Sequence, residues 1–376
     1  MMSNLEKILQ EFKTAATTPR EILDRYLSQG KKVVGCFPIY TPEELVHAGS
    51  MIPMGLWGGQ ISPAIAGKYS PIFICSIMRS CLEYGMSGVY DGVCCTIMPM
   101  LCDTYRGMNS AWKAGSNIPL ISMIHPQNRD SAAAHDFMVA EYQAVREQLE
   151  EITGCKITDE ALEKSIEIYN DHSRAILEFS EEANNHLDVI TPVVRHAVMK
   201  SATFLEKSEH TKMLRALLDE LKARPKHTWM GKKVILTGIT AEPDEFLEIF
   251  SENNIAVVGD DLAQESRLYR TLIPNGKTPM DRLAAQWLNR YGCCVVHETD
   301  LTRGKMLVEM AKKTGADAVA VCLMRFCDME EYDYPYISNE IELTGIYCLC
   351  LEVDQSTQNN EQSRTKIQSF AEKYRH

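Results

Sequence analysis

Apolar and polar positions follow two different periods along this chain, and the change of period divides it. Short apolar runs bounded by turn residues, VVGCFPIY at 33–40, VCCTIMPM at 93–100 and IPLISMIH at 118–125, read as buried strands with helical patterns between them. A helix is predicted from Pro42: Thr41 offers a hydroxyl at the N-cap, Pro42 takes the first helical position and Glu44 completes a capping box. From about Asp130 to Arg224 long amphipathic segments take over, including FMVAEYQAVREQLEEI, DEALEKSIEIYNDHSRAILEFSEEA and EHTKMLRALLDELKA, with almost no strand signal. Pro225 closes that stretch and Gly231 opens a new alternation of strands and helices.

The second half repeats the grammar of the first. GKKVVGCFPIYTPEELVHAGSMIP from Gly30 matches GKKVILTGITAEPDEFLEIFSENNIAVVG from Gly231, and GVCCTIMPMLCDTYRGMN parallels ADAVAVCLMRFCDMEEYD. Each of the latter pair is followed by a helix and another apolar strand, IPLISMIH or IYCLCLEVD. The expected fold class is therefore α/β: two related Rossmann-like (flavodoxin-like) parallel-sheet domains with a helical segment between them and an N-terminal helix. The expected divisions are an N-terminal helical segment at 1–29, a first α/β domain at 30–130, a helical region at 131–228 and a second α/β domain at 229–376.

Composition narrows the function. At 376 residues, 45% hydrophobic and 24% charged, the chain can bury a core without help from disulfides or metal, so any metal site calls for a chemical explanation. A formal charge of -12 argues against a nucleic-acid partner. It leaves room for a local pocket of Arg79, Arg106 and Lys113 that could bind a phosphate-rich cofactor such as coenzyme A. The N-terminal segment MMSNLEKILQEFKTAATTPRE has no uninterrupted apolar stretch of the secretory kind, and no apolar run is long enough to span a membrane, so a cytoplasmic protein is expected. There is neither a GxGxxG after a strand nor a P-loop, so an ATP-driven step would fall to another protein.

Thirteen cysteines are many for such a chain, and in a reducing compartment they are thiols. About nine are expected to be small core hydrophobes, among them Cys94, Cys95, Cys322, Cys348 and Cys350 inside strand patterns. Cys102 and Cys327 differ, because each follows a strand, precedes a helix and stands beside an aspartate expected to cap that helix. Ligands of parallel sheets bind beyond the carboxyl ends of the strands, so two matching turns in two domains can converge on one cleft. A thiolate at a helix start is easier to keep ionised, and soft thiolates select zinc, copper or iron-sulfur clusters. Two are too few for a site. Cys75 repeats the strand-Cys-helix layout, with FIC before it and SIMRSCLEYGMSGVY as the helix, while Cys36 and Cys81 stand as alternatives. His125, Trp57, the aromatic run EEYDYPY and the pair Glu43 and Glu44 could border a site, but packing and capping account for them more simply.

The segments GCFPIYTPEELVHAGSMIPMGLWGG, LCDTYRGMNSAWK, HPQNR, DDLAQESR, RFCDMEEYDYP and EVDQSTQNNEQSRTKIQSFAE resemble the (R)-2-hydroxyacyl-CoA dehydratase family, of the 2-hydroxyglutaryl-CoA dehydratase D-component type, along nearly the whole chain. Length and motifs look most like the smaller, β-type subunit, with benzoyl-CoA reductase subunits as more distant relatives. The resemblance implies a heterodimer with a larger α-type subunit and one four-iron four-sulfur (4Fe-4S) cluster in each subunit, held by three cysteines that match Cys75, Cys102 and Cys327, with a non-protein fourth site. Cys36 and Cys81 are the residues that could replace Cys75. It further implies reversible removal of water from a 2-hydroxyacyl-CoA to the 2-enoyl-CoA, started by one electron from a separate ATP-hydrolysing iron-sulfur activator. That electron makes the thioester a ketyl radical anion, which expels the 2-hydroxyl and renders the β-proton acidic. In the family this chemistry occurs mainly at the larger subunit's cluster, so no proton-transfer residue is assigned here. An electron-relay or assembly subunit, and a reductase of the benzoyl-CoA type, are the competing readings.

Overall fold

A computed structural model describes residues 3–356 and 360–373, so residues 357–359 of the last resembling segment lie outside the described part. The chain opens with helices α1 (Asn4–Thr17) and α2 (Pro19–Ser28), the first closed by a capping box in which Ser3 and Glu6 satisfy each other's backbone N–H groups. Strand β1 (Val33–Cys36), helix α3 (Glu43–Ala48), strand β2 (Ile52–Gly55), helix α4 (Ser76–Ser87), strand β3 (Val93–Pro99), helix α5 (Asp103–Gly115) and strand β4 (Leu120–Met123) complete the first half. Four helices follow: α6 (Ala134–Thr153), α7 (Asp159–Glu182), α8 (Pro192–Ser201) and α9 (Lys207–Lys222). The second half runs β5 (Lys232–Gly238), α10 (Asp244–Glu252), β6 (Ile255–Leu262), α11 (Ser266–Tyr269), α12 (Pro279–Leu288), α13 (Arg303–Thr314), β7 (Ala318–Met324), α14 (Asp328–Glu342), β8 (Tyr347–Val353) and α15 (Glu361–Lys373).

Both sheets are parallel throughout and share one strand order, β2-β1-β3-β4 in the first and β6-β5-β7-β8 in the second. The internal repeat seen in the sequence is thus a repeat of topology, and the fold is α/β with two Rossmann-like units. No helix among the described residues is long and apolar enough to cross a membrane.

Two local expectations need correction, and one strand was not foreseen. The first strand ends at Cys36 rather than Tyr40, because Pro38 cannot donate to a ladder and Ile39 and Tyr40 take positive φ (64° and 63°). The Tyr105 hydroxyl donates to the Pro38 carbonyl and fixes that turn. Helix α3 begins one residue later than expected, with Pro42 at the N-cap. Thr41 forms no capping box; its hydroxyl donates back to the Phe37 carbonyl at 2.8 Å, and Glu44 turns inward. Strand β2 carries no strong strand signal because it is four residues long and contains Pro53, which an edge strand tolerates.

The helical layer binds the halves together. Helix α1 packs on α8 and α9, burying Phe12 against Phe179, Leu214 and Leu217. The largest apolar core surrounds the first sheet and extends to Trp287, Val295 and Met324 of the second half, with Cys75, Cys102 and Cys327 all packed against it. The three thiols therefore sit where the two halves meet.

Candidate functional site

Each of the three cysteines is the N-cap residue of a helix: Cys75 of α4, Cys102 of α5 and Cys327 of α14. Their carbonyls accept the first helical bonds, from Arg79 N (3.3 Å), Arg106 N (3.3 Å) and Glu331 N (3.0 Å). Cys102 and Cys327 follow their strands at the same offset, since β3 ends at Pro99 and β7 at Met324. The aspartates do not cap, contrary to expectation. Asp103 and Asp328 are first helical residues, and the exposed Asp103 carboxylate reaches only Arg106, at 3.6 Å. Cys75 departs further from the expected layout, because a turn and no strand precedes it. Phe73, read as a strand residue, is 67% exposed, and Ile72 before it is 72% exposed.

All three thiols are half-buried and none makes a side-chain cap hydrogen bond. Burial is the main influence on their protonation, pushing Cys75 up to about 12, Cys102 upward and Cys327 well upward. First-turn N–H groups of Met78, of Tyr105 and Thr104, and of Glu330 pull in the opposite direction. Cys102 raises Cys75, and Cys75 and Cys102 both raise Cys327, so the three sulfurs lie within one another's field. The Asp328 charge also raises Cys75. Among the described residues, no group of three or more His, Cys, Asp and Glu side chains stands close enough to hold a single metal ion.

The alternatives are engaged elsewhere. Cys81 is fully buried and donates to the Leu56 carbonyl at 2.9 Å, and Cys36 is buried beneath the 37–40 turn. Cys94, Cys95, Cys322, Cys348 and Cys350 lie in strands, as read from the sequence. His125 is buried, its ring centroid 3.9 Å from that of Trp287 with the planes tilted by 36°, and burial holds it neutral by pushing its pKa down to about 3. Arg79, Arg106 and Lys113 form no common pocket: Arg106 and Lys113 are exposed, and the Nε of Arg79 is buried without a hydrogen-bond partner.

A cavity of about 570 Å³ is lined by the 57–60 segment, by Tyr84 of α4 and by Gln355. Trp57, Tyr84, Tyr90 and Phe204 give it an apolar wall, with Lys200 and Glu242 paired on one side. Gln355 connects it to the thiol region, since its backbone N–H donates to Ser76 Oγ at 3.1 Å, while its side-chain amide donates to the Trp57 carbonyl at 3.0 Å and to Glu242. The Trp57 reading as packing is half the account: the ring is buried and also borders the cavity.

The largest feature that sequence reasoning missed is a buried network of charge behind Cys327. Arg267, fully buried, donates to Asp261 Oδ2 at 3.0 Å, to the Gly238 carbonyl at 2.9 Å and to Glu330 Oε1 at 3.4 Å. Arg303 reaches Asp261 (2.9 Å), Thr237 Oγ1 (2.8 Å), both Glu330 oxygens (3.2 and 3.1 Å) and Asp333 (2.7 Å). Arg270 also meets Asp261. The thiol of Cys294 donates to Glu330 at 3.0 Å, and Arg267 stands 3.6 Å from the Cys293 sulfur. Despite burial, which by itself raises carboxyl groups, the three guanidiniums hold the Asp261 pKa well below its usual range, and Arg303 and Arg267 lower that of Glu330. The segment DDLAQESR carries Asp261 and Arg267, and RFCDMEEYDYP carries Glu330 and Asp333; those two motifs were the signals available.

Comparison with known proteins adds an independent line. Residues 38–374 match the family described as 2-hydroxyglutaryl-CoA dehydratase, D-component. The chain is 44% identical over 373 residues to the (R)-phenyllactyl-CoA dehydratase beta subunit of Clostridium sporogenes, covering 99% of this chain and 100% of the relative. It is 44% identical over 374 residues to the lactoyl-CoA dehydratase subunit beta of Anaerotignum propionicum, with 99% and 100% covered. With the (R)-2-hydroxyglutaryl-CoA dehydratase subunit beta of Acidaminococcus fermentans it shares 35% identity over 375 residues, 98% of this chain and 99% of that one.

Proposed function

The chain belongs to the 2-hydroxyglutaryl-CoA dehydratase, D-component family, and from that premise we propose that it is the β-type subunit of a heteromeric hydro-lyase. The reaction is the reversible removal of water from an (R)-2-hydroxyacyl-CoA to give the 2-enoyl-CoA. The observation that carries the reading is the convergence of Cys75, Cys102 and Cys327: three helix-capping thiols, drawn from both halves of the chain, met by the N–H groups of their own first turns and within one another's field. A four-iron cube is a larger body than a single ion, so thiolates on its separate corners need not crowd as the ligands of one ion do. Three such thiolates suit a four-iron four-sulfur cluster whose fourth position is filled by something other than protein. When bound, the cluster supplies a low-potential electron and an open iron that can polarise a carbonyl or hydroxyl oxygen.

The chain's own residues bind, orient and shield. The first turns of α4, α5 and α14 aim backbone N–H groups at the sulfurs, which favours the thiolate form that ligation requires. Burial, which keeps the free thiols protonated, also keeps water away from the reacting thioester. Ile72 and Phe73, shortly before Cys75 in the chain, and Tyr332 in the second turn of the helix that Cys327 caps, are large apolar side chains that stand exposed, and we read them as a rim around the thiols. Such a rim fits a surface covered by another chain, here the larger α-type subunit. The electron comes from a separate ATP-hydrolysing iron-sulfur activator, and the setting is the reducing cytoplasm of an anaerobe, where thirteen cysteines stay thiols. No proton transfer is assigned to a residue of this chain.

The test is turnover of the anaerobically co-purified heterodimer with an (R)-2-hydroxyacyl-CoA, the activator, ATP and a reductant. Formation of the 2-enoyl-CoA only when both subunits are present is the expected result. Equal rates from the larger subunit alone, or reduction of the acyl group without loss of water, would defeat the reading.

A further inference from the structure

The charge network behind Cys327 contains three guanidiniums, on Arg267, Arg270 and Arg303, and three carboxylates, on Asp261, Glu330 and Asp333. Its formal charge is balanced, so removing any one member leaves a single unit of known sign. Glu330 has a special place in it. This residue is the third of α14, in the first turn of the helix that Cys327 caps, and its N–H faces the Cys327 sulfur. It has no exposed surface, and Arg303, Arg267 and Cys294 fix its carboxylate from three directions.

We propose that Glu330 is a positioning residue whose fixed negative charge, clamped by Arg303 and Arg267 under the first turn of α14, keeps the reduction potential of the cluster held by Cys327 low. The proposal rests on the reading of Cys75, Cys102 and Cys327 as cluster ligands. Reduction adds an electron to the cluster, and a fixed carboxylate nearby in a medium of low dielectric makes that electron less welcome. A low potential serves the reaction, because the electron must pass to a thioester, a poor acceptor. A guanidinium at the same distance would do the opposite, so the balance between Glu330 and Arg303 sets the value. A network that only locks α14 in place predicts no dependence on sign.

Two variants separate these possibilities. Glu330→Gln keeps the shape and leaves one positive charge; Arg303→Gln leaves one negative charge. The parent heterodimer and both variants are titrated anaerobically with redox mediators, and the reduced clusters are followed by electron paramagnetic resonance without substrate. The expected result is that one of two titration waves moves up in Glu330→Gln and down in Arg303→Gln. Each shift should be roughly a tenfold change in the oxidised-to-reduced ratio, about 59 mV for one electron, while the other wave stays in place. Unmoved waves, or shifts of the same sign in both variants, overturn the proposal. Should either variant lose its iron or its fold, Asp333→Asn decides the matter, since it unbalances the same network from its outer end and leaves the first turn of α14 intact. An upward shift there supports the proposal and an unchanged potential overturns it. A parent whose waves both survive Cys327→Ala refutes the ligand assignment itself, a result distinct from any of these.

Discussion

Replacing Glu44 by Gln should flatten the stability of this chain against pH, and the size of the effect follows from where the carboxyl sits. Glu44 is buried at the start of α3 beside a cavity of about 60 Å³, lined also by Tyr40, Tyr169 and Arg290. Burial is the main cause that pushes its pKa up to about 7, from 4.5; the neighbouring Glu43 adds to the rise, and Arg290 and Lys207 oppose it. The folded chain therefore keeps a proton that the unfolded chain has released. The stability this contributes is complete below pH 4.5 and is lost as pH rises through about 7. At 1.36 kcal/mol per pH unit the gap amounts to about 3 kcal/mol. The cavity has room for a water or two, which would soften the desolvation and makes this figure an upper one. Glutamine mimics the protonated acid, so Glu44→Gln should match the parent near pH 5 and exceed it by up to about 3 kcal/mol at pH 8. Urea unfolding under argon, followed by tryptophan fluorescence between pH 5 and 8, measures the difference directly. A parent-minus-variant difference that stays constant across that range would refute the reasoning.

Two further outcomes follow from the packing. Arg267→Met should cost about 3–5 kcal/mol, because it strips Asp261 and Glu330 of a buried partner, and the loss is read as a fall in the urea midpoint. Gly58→Ala should cost about 1–3 kcal/mol in the same assay: Gly58 has φ +68°, and an added Cβ would lie 1.9 Å from Ser80 Oγ and 3.1 Å from the Ile77 carbonyl, against the helix that Cys75 caps.

The architecture was legible where local patterns and burial agree. Parallel strands buried on both faces are near-continuous apolar runs, so β1, β3 and β7 stood out, and the repeated Cys-Asp turn after β3 and β7 marked the candidate site. The error at Cys75 has a physical cause: FIC is apolar, but Ile72 and Phe73 face outward, and an apolar run does not state whether it meets a core or a neighbouring chain. Helix starts were misread by one residue because Cys-Asp and Thr-Pro pairs each allow two positions for the cap. The network of Asp261, Arg267, Arg303 and Glu330 was invisible for a different reason. Its members come from β6, α11, α13 and α14, far apart in sequence, and a charged residue taken alone reads as surface.

Iron content is the most direct test of the central claim that three helix-capping cysteines hold a cluster in this chain. Heterodimer purified anaerobically should carry about eight irons, about four per subunit. The count should fall to about four in Cys75→Ala, Cys102→Ala and Cys327→Ala, and stay at the parent value in Cys81→Ala. Full iron in any of the first three variants would contradict the account.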